Sequence, residues 1–273
     1  ARNMAEAHPT IMTAVPRLYE TMHGRITRGV KQAGGLKAKL FHNAVRLGSK
    51  KIEDPNSLTF GEKILDTLVE KLVRNKVKAN FGGRLKALVS GGAPLNSDIG
   101  IFFSALGLRL LQGYGQTEAA PVISCNRLGK IKLHTVGPPL LDTEVNIADD
   151  GEILVRGDLL MQGYWRNEEA TKEVLKDGWL HTGDIGVIDE DGYIEITDRK
   201  KDIIVNSGGD NISPQRVEGF LTLEPEIAQA MVLGDKRPHL VALVVPDADF
   251  AIEWANANGK SDDLNQLIED EGF

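Results

Sequence analysis

Cysteine is almost absent from this sequence: Cys125 is the only one among 273 residues. A single thiol excludes an internal disulfide framework and fits a reducing compartment. Because no motif surrounds Cys125, a packed residue is favoured over a nucleophile. The sequence also lacks both an N-terminal signal pattern and a run of about 20 apolar residues, the length of a membrane-spanning helix. These absences predict a cytoplasmic protein. Because the chain starts at Ala1 without a methionine, the presence of an upstream targeting segment remains an alternative.

Basic residues are in the minority, but the two signs of charge are unevenly distributed. The net charge is −7, whereas residues 1–86 hold 17 Lys and Arg against 7 Asp and Glu, or +10. The acidic remainder argues against general nucleic-acid binding. The basic segment is interpreted either as a surface facing an anionic membrane or a polyphosphate, or as the solvated faces of helices.

Helices are predicted over residues 1–80, followed by one strand–helix–strand unit. Apolar residues recur there at three- and four-residue spacing, and Pro16 fits the first turn of a helix. Residues 85–89 and 108–111 predict two short strands on either side of a helix capped by Asn96 or Ser97. Such a unit implies a parallel sheet.

Short strands and tight turns are predicted from about residue 136 to 197. The predicted strands are residues 144–147, 152–155, 185–188 and 193–197. This pattern is typical of a small antiparallel barrel or sheet. The charged run 198–202 ends it, and a compact α+β segment follows.

The segment with the most chemistry directly follows the second strand of the parallel unit. It consists of Gln112, Gly113, Tyr114, Gly115, Gln116, Thr117 and Glu118. The glycines let backbone approach a ligand, Tyr114 offers a ring for stacking, and Thr117 and Glu118 offer groups for phosphate and Mg²⁺. A dinucleotide fingerprint would need a glycine at position 118, where the carboxylate of Glu118 would repel a pyrophosphate. On composition alone, a ligand-binding turn and a plain turn are equal alternatives.

Five motifs follow one another along the chain, at residues 90–94, 114–118, 151–157 with 163–165, 179–184, and 198–202 with Gly209 and Pro214. In this order they resemble the motifs of the adenylate-forming superfamily of acyl-CoA synthetases, luciferases and peptide-synthetase adenylation domains. Five motifs in the same order make chance agreement negligible. The chain is therefore identified as similar to this superfamily over roughly residues 85–245.

The resemblance implies an α/β fold in three parts. Residues 1–130 would be the C-terminal part of a large α/β adenylation domain, and residues 131–197 a β-rich, barrel-like subdomain with antiparallel strands. Residues 198–273 would be a hinge and a truncated α+β C-terminal lid domain. The superfamily's phosphate loop and catalytic lysine match nothing in this sequence. We therefore expect a fragment cut short at both ends that shows no turnover alone.

The resemblance also assigns a nucleotide site. The turn formed by Gly92, Ala93 and Pro94 would contact adenine, and Asp184 would accept hydrogen bonds from both ribose hydroxyls. Arg199 would donate to ribose or phosphate oxygens. The remaining nucleotide-binding residues would be Gln112, Gly113, Tyr114, Gly115 and Gln116.

The catalytic residues implied by the resemblance are Thr117, Glu118 and the hinge residue Lys201. Thr117 would contact the α-phosphate and Glu118 would hold Mg²⁺. Lys201 would let the lid domain rotate between adenylate formation and thioester formation. In the second orientation Ser207, Gly208 and Gly209 would line the passage for the pantetheine of CoA. His181, next to the ribose site, is interpreted as structural.

The implied reaction has two halves. A carboxylate attacks the α-phosphate of ATP, pyrophosphate leaves, and the thiol of CoA then displaces AMP. Residues 8–20 and 24–47 resemble a segment and an insertion of long-chain acyl-CoA synthetases, which favours a long-chain fatty acid. The alternatives are an adenylation enzyme for an aryl or other carboxylate, a carrier-protein-loading enzyme, and a non-catalytic adenylate-binding or membrane-docking module. The expected partners are fatty acid, ATP and CoA, with peripheral membrane contact as a further interpretation of the basic segment.

Overall fold

A four-stranded sheet organises the first part of the chain in the computed structural model, which describes residues 2–273. Its strands, in sheet order, are β1 (Ile11–Ala14), β2 (Ala87–Ser90), β3 (Leu110–Gly115) and β4 (Val122–Cys125). The β1–β2 and β2–β3 pairs are parallel, and β4 is antiparallel to β3. The predicted parallel strand–helix–strand unit is confirmed.

Two features of this sheet differ from the prediction. Residues 1–80 were predicted to be helical from the spacing of their apolar residues, and this prediction is wrong for the four residues of β1. That strand depends on pairing with β2, which lies much later in the chain. The second predicted strand, 108–111, also ends too early. Strand β3 continues to Gly115 because its second half pairs with β4, so residues 112–115 belong to the strand rather than to a turn after it.

Six helices surround the sheet in this part of the described chain. They are α1 (Arg2–Ala7), α2 (Pro16–Ala33), α3 (Gly35–Glu53), α4 (Phe60–Val69), α5 (Asn75–Asn80) and α6 (Ser97–Ala105), with a π-helical segment, Glu70–Arg74, between α4 and α5. Pro16 is the first helical residue of α2, as predicted, and of the two predicted capping residues of α6, Asn96 and Ser97, Asn96 is the cap. Helix α4 starts with a capping box in which Thr59 and Glu62 satisfy each other's backbone amides.

Close packing of α3 against α6 and α4 builds the helical layer. A Cβ on Gly48 would lie 2.5 Å from the backbone of Ala105, so only glycine allows this approach of α3 to α6. Arg74 is buried beneath these helices, donates to the carbonyls of Ala105 and Ala44, and pairs with Asp66 at 2.7 Å. Its hydrogen bonds and ion pair compensate for the desolvation of the guanidinium.

A second sheet of five strands follows. Its elements are β5 (Glu144–Ile147), β6 (Glu152–Arg156), α7 (Glu168–Val174), β7 (Leu175–Lys176), β8 (Trp179–Ile188) and β9 (Ile194–Arg199). The β5–β6, β6–β8 and β7–β8 pairs are antiparallel, as predicted, and β9 also pairs with β8. Tyr114 and Ile123 of the first sheet share one buried cluster with Ile153, Leu180 and Ile194, so both sheets pack on a common core.

The chain divides after Thr197, and Asp198–Phe273 forms a separate compact unit. Its elements are β10 (Ile204–Val205), β11 (Asn211–Ile212), α8 (Pro214–Leu221), β12 (Ile227–Leu233), β13 (Val241–Pro246), α9 (Ala248–Asn258) and α10 (Leu264–Leu267). Two antiparallel hairpins, β10–β11 and β12–β13, give it an α+β composition. The fold class is α/β with antiparallel sheets, and the three-part domain division stays a prediction.

Among the helices of residues 2–273, none has the length and apolar character needed to cross a membrane.

Candidate active site

The candidate site lies where β2 and β3 end. These strands are parallel, so the loops that follow them emerge at the same edge of the sheet. The loop after β2 contains Gly92, Ala93 and Pro94, which are all exposed, and Gly92 has a φ of 83°. Strand β3 leads into a single 3₁₀ turn that holds Thr117 and Glu118. The residues predicted for adenine and for phosphate therefore share one edge.

Gly115 makes the turn at the end of β3 possible. A Cβ at this position would lie 1.8 Å from the carbonyl oxygen of Pro121, which immediately precedes β4. Ala120 adopts the left-handed conformation with a φ of 53°. The tight return of the chain fixes the direction in which Thr117 and Glu118 leave the strand, and a side chain at position 115 would displace it.

Tyr114 and Asp184 are joined by a buried hydrogen bond. The Tyr114 hydroxyl donates to Oδ2 of Asp184 at 2.6 Å, and both residues are buried. The Tyr114 ring packs in the core shared by the two sheets. The hydroxyl therefore links β3, which carries part of the motif at 114–118, to β8, which carries the predicted ribose carboxylate.

A buried glutamate holds the backbone just before Asp184. Oε1 of Glu152 accepts from the amide of Gly183 at 2.8 Å, and Oε2 lies 3.2 Å from Nδ1 of His181. The amide of Asp184 donates to the hydroxyl of Thr182 at 3.1 Å. Sequence reasoning assigned Glu152 no role, although a carboxylate next to apolar strand positions was a usable signal. The contact between His181 and Glu152 supports the interpretation of His181 as structural.

Tyr164 contacts the carboxylate predicted to hold Mg²⁺. Its hydroxyl donates to Oε1 of Glu118 at 2.7 Å, and the amide of Met161 donates to the Glu118 carbonyl at 2.8 Å. The pKa of Tyr164 is raised by two causes, of which the hydrogen bond to Glu118 is the larger and partial burial the smaller. Tyr164 lies in the motif at 163–165, but sequence reasoning assigned this residue no function.

Gln112 and Gly113 lie inside strand β3. The amide Nε2 of the buried Gln112 donates to the carbonyl of Leu133 at 2.6 Å. Gly113 lies opposite Cys125 in the β3–β4 pair. Burial raises the pKa of the Cys125 thiol, as expected of a packed residue. The side chain of Gln112 thus contacts the protein interior, and its contact with a nucleotide stays a prediction, as does that of the half-buried Gln116.

The other predicted site residues lie in the second unit. Arg199 ends β9, and the exposed Lys201 lies in the turn that follows. The carbonyl of Arg199 accepts hydrogen bonds from the amides of Asp202 and Ile203 at 3.0 and 3.2 Å, which makes this turn an ordered one.

The loop between β10 and β11 contains Ser207, Gly208 and Gly209, which are all exposed. Oδ1 of Asn206 accepts from the amides of Gly208 and Asp210, each at 2.9 Å. Gly209 has a φ of 87°, a conformation that favours glycine. Asn206 therefore fixes the loop, a role that sequence reasoning did not assign.

Glu118 is the carboxylate that the sheet edge offers to a metal. Across residues 2–273, no three His, Cys, Asp or Glu side chains are grouped to hold a metal ion. A Mg²⁺ that accompanies a nucleotide takes one or two carboxylates together with phosphate oxygens and waters. One glutamate beside the predicted phosphate position fits that donor set.

The chain belongs to the AMP-binding enzyme family. Residues 1–165 match the AMP-binding enzyme family and residues 201–270 match its C-terminal domain. The superfamily indicated by the five motifs is thereby confirmed.

Its relatives include a long-chain-fatty-acid–CoA ligase and a long chain acyl-CoA synthetase. The chain is 38% identical over 260 residues to long-chain-fatty-acid–CoA ligase FadD15 of Mycobacterium bovis, covering 94% of this chain and 43% of that protein. It is 37% identical over 286 residues to the peroxisomal long chain acyl-CoA synthetase 7 of Arabidopsis thaliana, covering 98% and 40% respectively. The chain thus spans less than half the length of these relatives.

Solved structures share the fold. The o-succinylbenzoate coenzyme A synthetase of Bacillus subtilis in complex with AMP is 31% identical, with a TM-score of 0.55 over 63% of this chain and 40% of that one. The adenylation domain of a Mycobacterium chelonae carboxylate reductase matches with a TM-score of 0.67, and the match covers 97% of this chain and 38% of that one. At 24% identity, the second likeness concerns the fold alone.

Proposed function

We propose that the protein carrying this chain activates a long-chain fatty acid with ATP to an acyl-adenylate and transfers the acyl group to CoA, releasing AMP. The observation that carries the proposal is the buried 2.6 Å hydrogen bond from Tyr114 to Asp184, which joins strand β3 to the predicted ribose carboxylate. The names of the ligases that match 94% and 98% of the chain support the choice of substrate.

The sheet edge binds the AMP portion in this proposal. The exposed loop of residues 92–94 receives adenine, and the carboxylate of Asp184 accepts hydrogen bonds from the ribose hydroxyls. Hydrogen bonds to a charged group contribute about 1.5–3 kcal/mol each. Tyr114 and the Glu152-supported backbone keep Asp184 in position before the nucleotide arrives. Arg199 adds a permanent positive charge for ribose or phosphate oxygens.

The first half-reaction must bring two anions together, the fatty carboxylate and the α-phosphate. Thr117 would donate to the phosphate, and Glu118 would hold the Mg²⁺ that neutralises negative charge on the phosphate oxygens. Tyr164, through its hydrogen bond to Oε1, orients the Glu118 carboxylate. The protein side chains therefore contribute by positioning and by charge, with no covalent step of their own.

The second half-reaction uses the other unit. Lys201 serves as the hinge, and the loop of Ser207, Gly208 and Gly209 lines the passage for the thiol-bearing arm of CoA. The hydrogen bonds that Oδ1 of Asn206 accepts from two loop amides support this assignment because they keep a glycine-rich loop ordered.

Replacing Asp184 tests the nucleotide site. Asp184→Ala removes the carboxylate that accepts from the ribose, so the full chain should bind a fluorescent AMP analogue at least tenfold more weakly, equivalent to about 1.4 kcal/mol. The control is Asp177→Asn, an exposed turn residue with a φ of 52° that Asn also adopts readily. The control should keep wild-type affinity. Unchanged AMP affinity in Asp184→Ala would make the ribose assignment wrong.

Substrate and acceptor are tested together. The protein carrying this chain is assayed with palmitate, an aryl acid and amino acids, with and without CoA. Thioester formation from palmitate that requires ATP, Mg²⁺ and CoA is expected. Activation of an aryl acid, or thioester formation only with a carrier protein, would favour the alternative adenylation enzymes. Binding of AMP without turnover of any acid would favour a non-catalytic module.

A cytoplasmic protein with peripheral membrane contact is the location we propose. The charge of +10 over residues 1–86 supports contact with anionic lipid.

A further inference from the structure

Four large apolar side chains lie exposed along α4 and the π-helical segment after it. Phe60, Ile64, Leu68 and Leu72 are 82%, 60%, 47% and 42% exposed. They recur every four residues, the spacing that aligns side chains along one face of a helix. We name these four residues the α4 stripe. A contiguous exposed apolar face of this kind marks an interaction surface.

The stripe is not required for packing α4 against the rest of the protein. Helix α4 buries a neighbouring face, about 100° around the helix axis, where Leu65 and Val69 pack with Ala44 and Leu47 of α3. Two apolar faces on one helix exceed what the fold of this unit needs.

The carboxylates of this segment lie away from the stripe and are paired. Glu62, Asp66 and Glu70 are only partly exposed, and each makes at least one ion pair at 2.7–2.9 Å. Their partners are Arg46, Lys50, Lys51, Arg74 and Lys78. Their negative charge is thus directed at neighbouring cations of the same unit.

The charged residues of 60–76 that are exposed as whole residues are lysines, and the one carboxylate whose side chain is as much as 40% exposed, Glu70, is paired with Lys78 and Arg74. Lys63, Lys71 and Lys76 are exposed and make no ion pair with another described residue. The outer surface of this segment therefore combines a row of apolar side chains with positive charge. An interfacial helix on an anionic membrane has this composition.

We infer that the α4 stripe docks onto an anionic lipid surface. The apolar row enters the headgroup region, and the flanking lysines contact lipid phosphates. This inference deepens the membrane contact proposed above and rests on it. Docking would bring the protein to the phase in which long-chain fatty acids partition.

Vesicle co-sedimentation of the full chain tests the inference. Binding is expected to vesicles of equal parts phosphatidylcholine and phosphatidylglycerol, with little binding to phosphatidylcholine alone, and salt should weaken it. The double variant Ile64→Gln/Leu68→Gln should lower the partition coefficient about tenfold or more. Lys63→Gln/Lys71→Gln should lower it about fivefold per lysine. Glutamine keeps the helix propensity of these positions.

The matched control replaces two exposed apolar side chains elsewhere in the same unit. Leu141→Gln/Trp165→Gln should bind vesicles like the wild type, since both positions are more than 80% exposed and outside the stripe. Thermal unfolding checks that all variants fold. If the wild type binds no vesicle, the membrane contact itself is wrong. If it binds and the stripe variants bind equally, only the surface is wrong. If the wild type self-associates and the Ile64→Gln/Leu68→Gln variant does not, the stripe contacts a second copy of the chain and the lipid inference is wrong.

Discussion

At the scale of single residues, the hydrogen bond from Tyr164 orients the Glu118 carboxylate. Tyr164→Phe removes the donor at 2.7 Å and leaves the ring. Because Tyr164 is partly exposed, water replaces some of the lost interaction, and we expect a loss of about 1 kcal/mol in nucleotide binding. In the protein carrying this chain, the KM for Mg–ATP should therefore rise about fivefold with little change in kcat.

The control for this variant is Tyr193→Phe. Tyr193 is a second tyrosine of the same unit, whose hydroxyl donates to the carbonyl of Lys130 at 2.8 Å. Its replacement should change stability without changing the Mg²⁺ concentration needed for half-maximal activity. If Tyr164→Phe leaves that Mg²⁺ requirement unchanged, Tyr164 does not position the metal ligand.

Local motifs predicted the candidate site only in part. Thr117, Glu118 and Asp184 lie in segments whose residue order is characteristic, so they were assigned from the sequence. The side chains that hold them were not, because those contacts join distant positions. Tyr164 and Glu118 are 46 residues apart, and Glu152 lies 31 residues before Gly183. No spacing rule along the chain connects such pairs.

At the scale of elements, Glu62 links the start of α4 to α3. The hydrogen bond from Lys50, then the backbone bond at Thr59 and the bond from Arg46, lower the pKa of Glu62 from 4.5 to about 2. A carboxyl whose pKa is lower in the folded state stabilises the fold above its unfolded pKa and loses that effect as the pH falls. The contribution of Glu62 is thus complete above about pH 4.5 and disappears towards pH 2.

Glu62→Gln should therefore lower the Tm at neutral pH and have a shrinking effect between pH 4.5 and 2. Thermal unfolding of both proteins across this range measures the difference. Glu53→Gln, at the exposed end of α3, is the control and should lower the Tm little at any pH. A Tm difference for Glu62→Gln that is the same at every pH would show that the capping geometry, and not the charge, stabilises α4.

Elements with strong local signals were predicted, and those stabilised by distant partners were not. Pro16 and Asn96 marked the starts of their helices because capping residues act within a few positions. Strand β1 has only four residues and pairs with β2, more than 70 positions later. The second half of β3 depends in the same way on β4.

At the scale of the whole molecule, the division after Thr197 separates the predicted site residues into two sets. The adenine loop, Thr117, Glu118 and Asp184 belong to the first unit, whereas Arg199, Lys201 and the loop at 207–209 belong to the second. The proposed reaction needs both sets, with thioester formation depending on a change at the hinge. Adenylate formation and thioester formation should therefore respond differently to a substitution that stiffens the backbone at Lys201.

Lys201→Pro is that substitution. Proline fixes φ near −65° and removes an amide donor, so it restricts rotation at the hinge. In the protein carrying this chain, pyrophosphate release without CoA should stay within about threefold of wild type, and thioester formation should fall at least tenfold, or about 1.4 kcal/mol in barrier height. Lys201→Ala removes the side chain but leaves the backbone free, and both half-reactions should then stay near wild type. An equal loss of both half-reactions in Lys201→Pro, or a loss of thioester formation in Lys201→Ala, would argue that position 201 acts through its side chain or through stability, because a hinge acts through its backbone dihedrals.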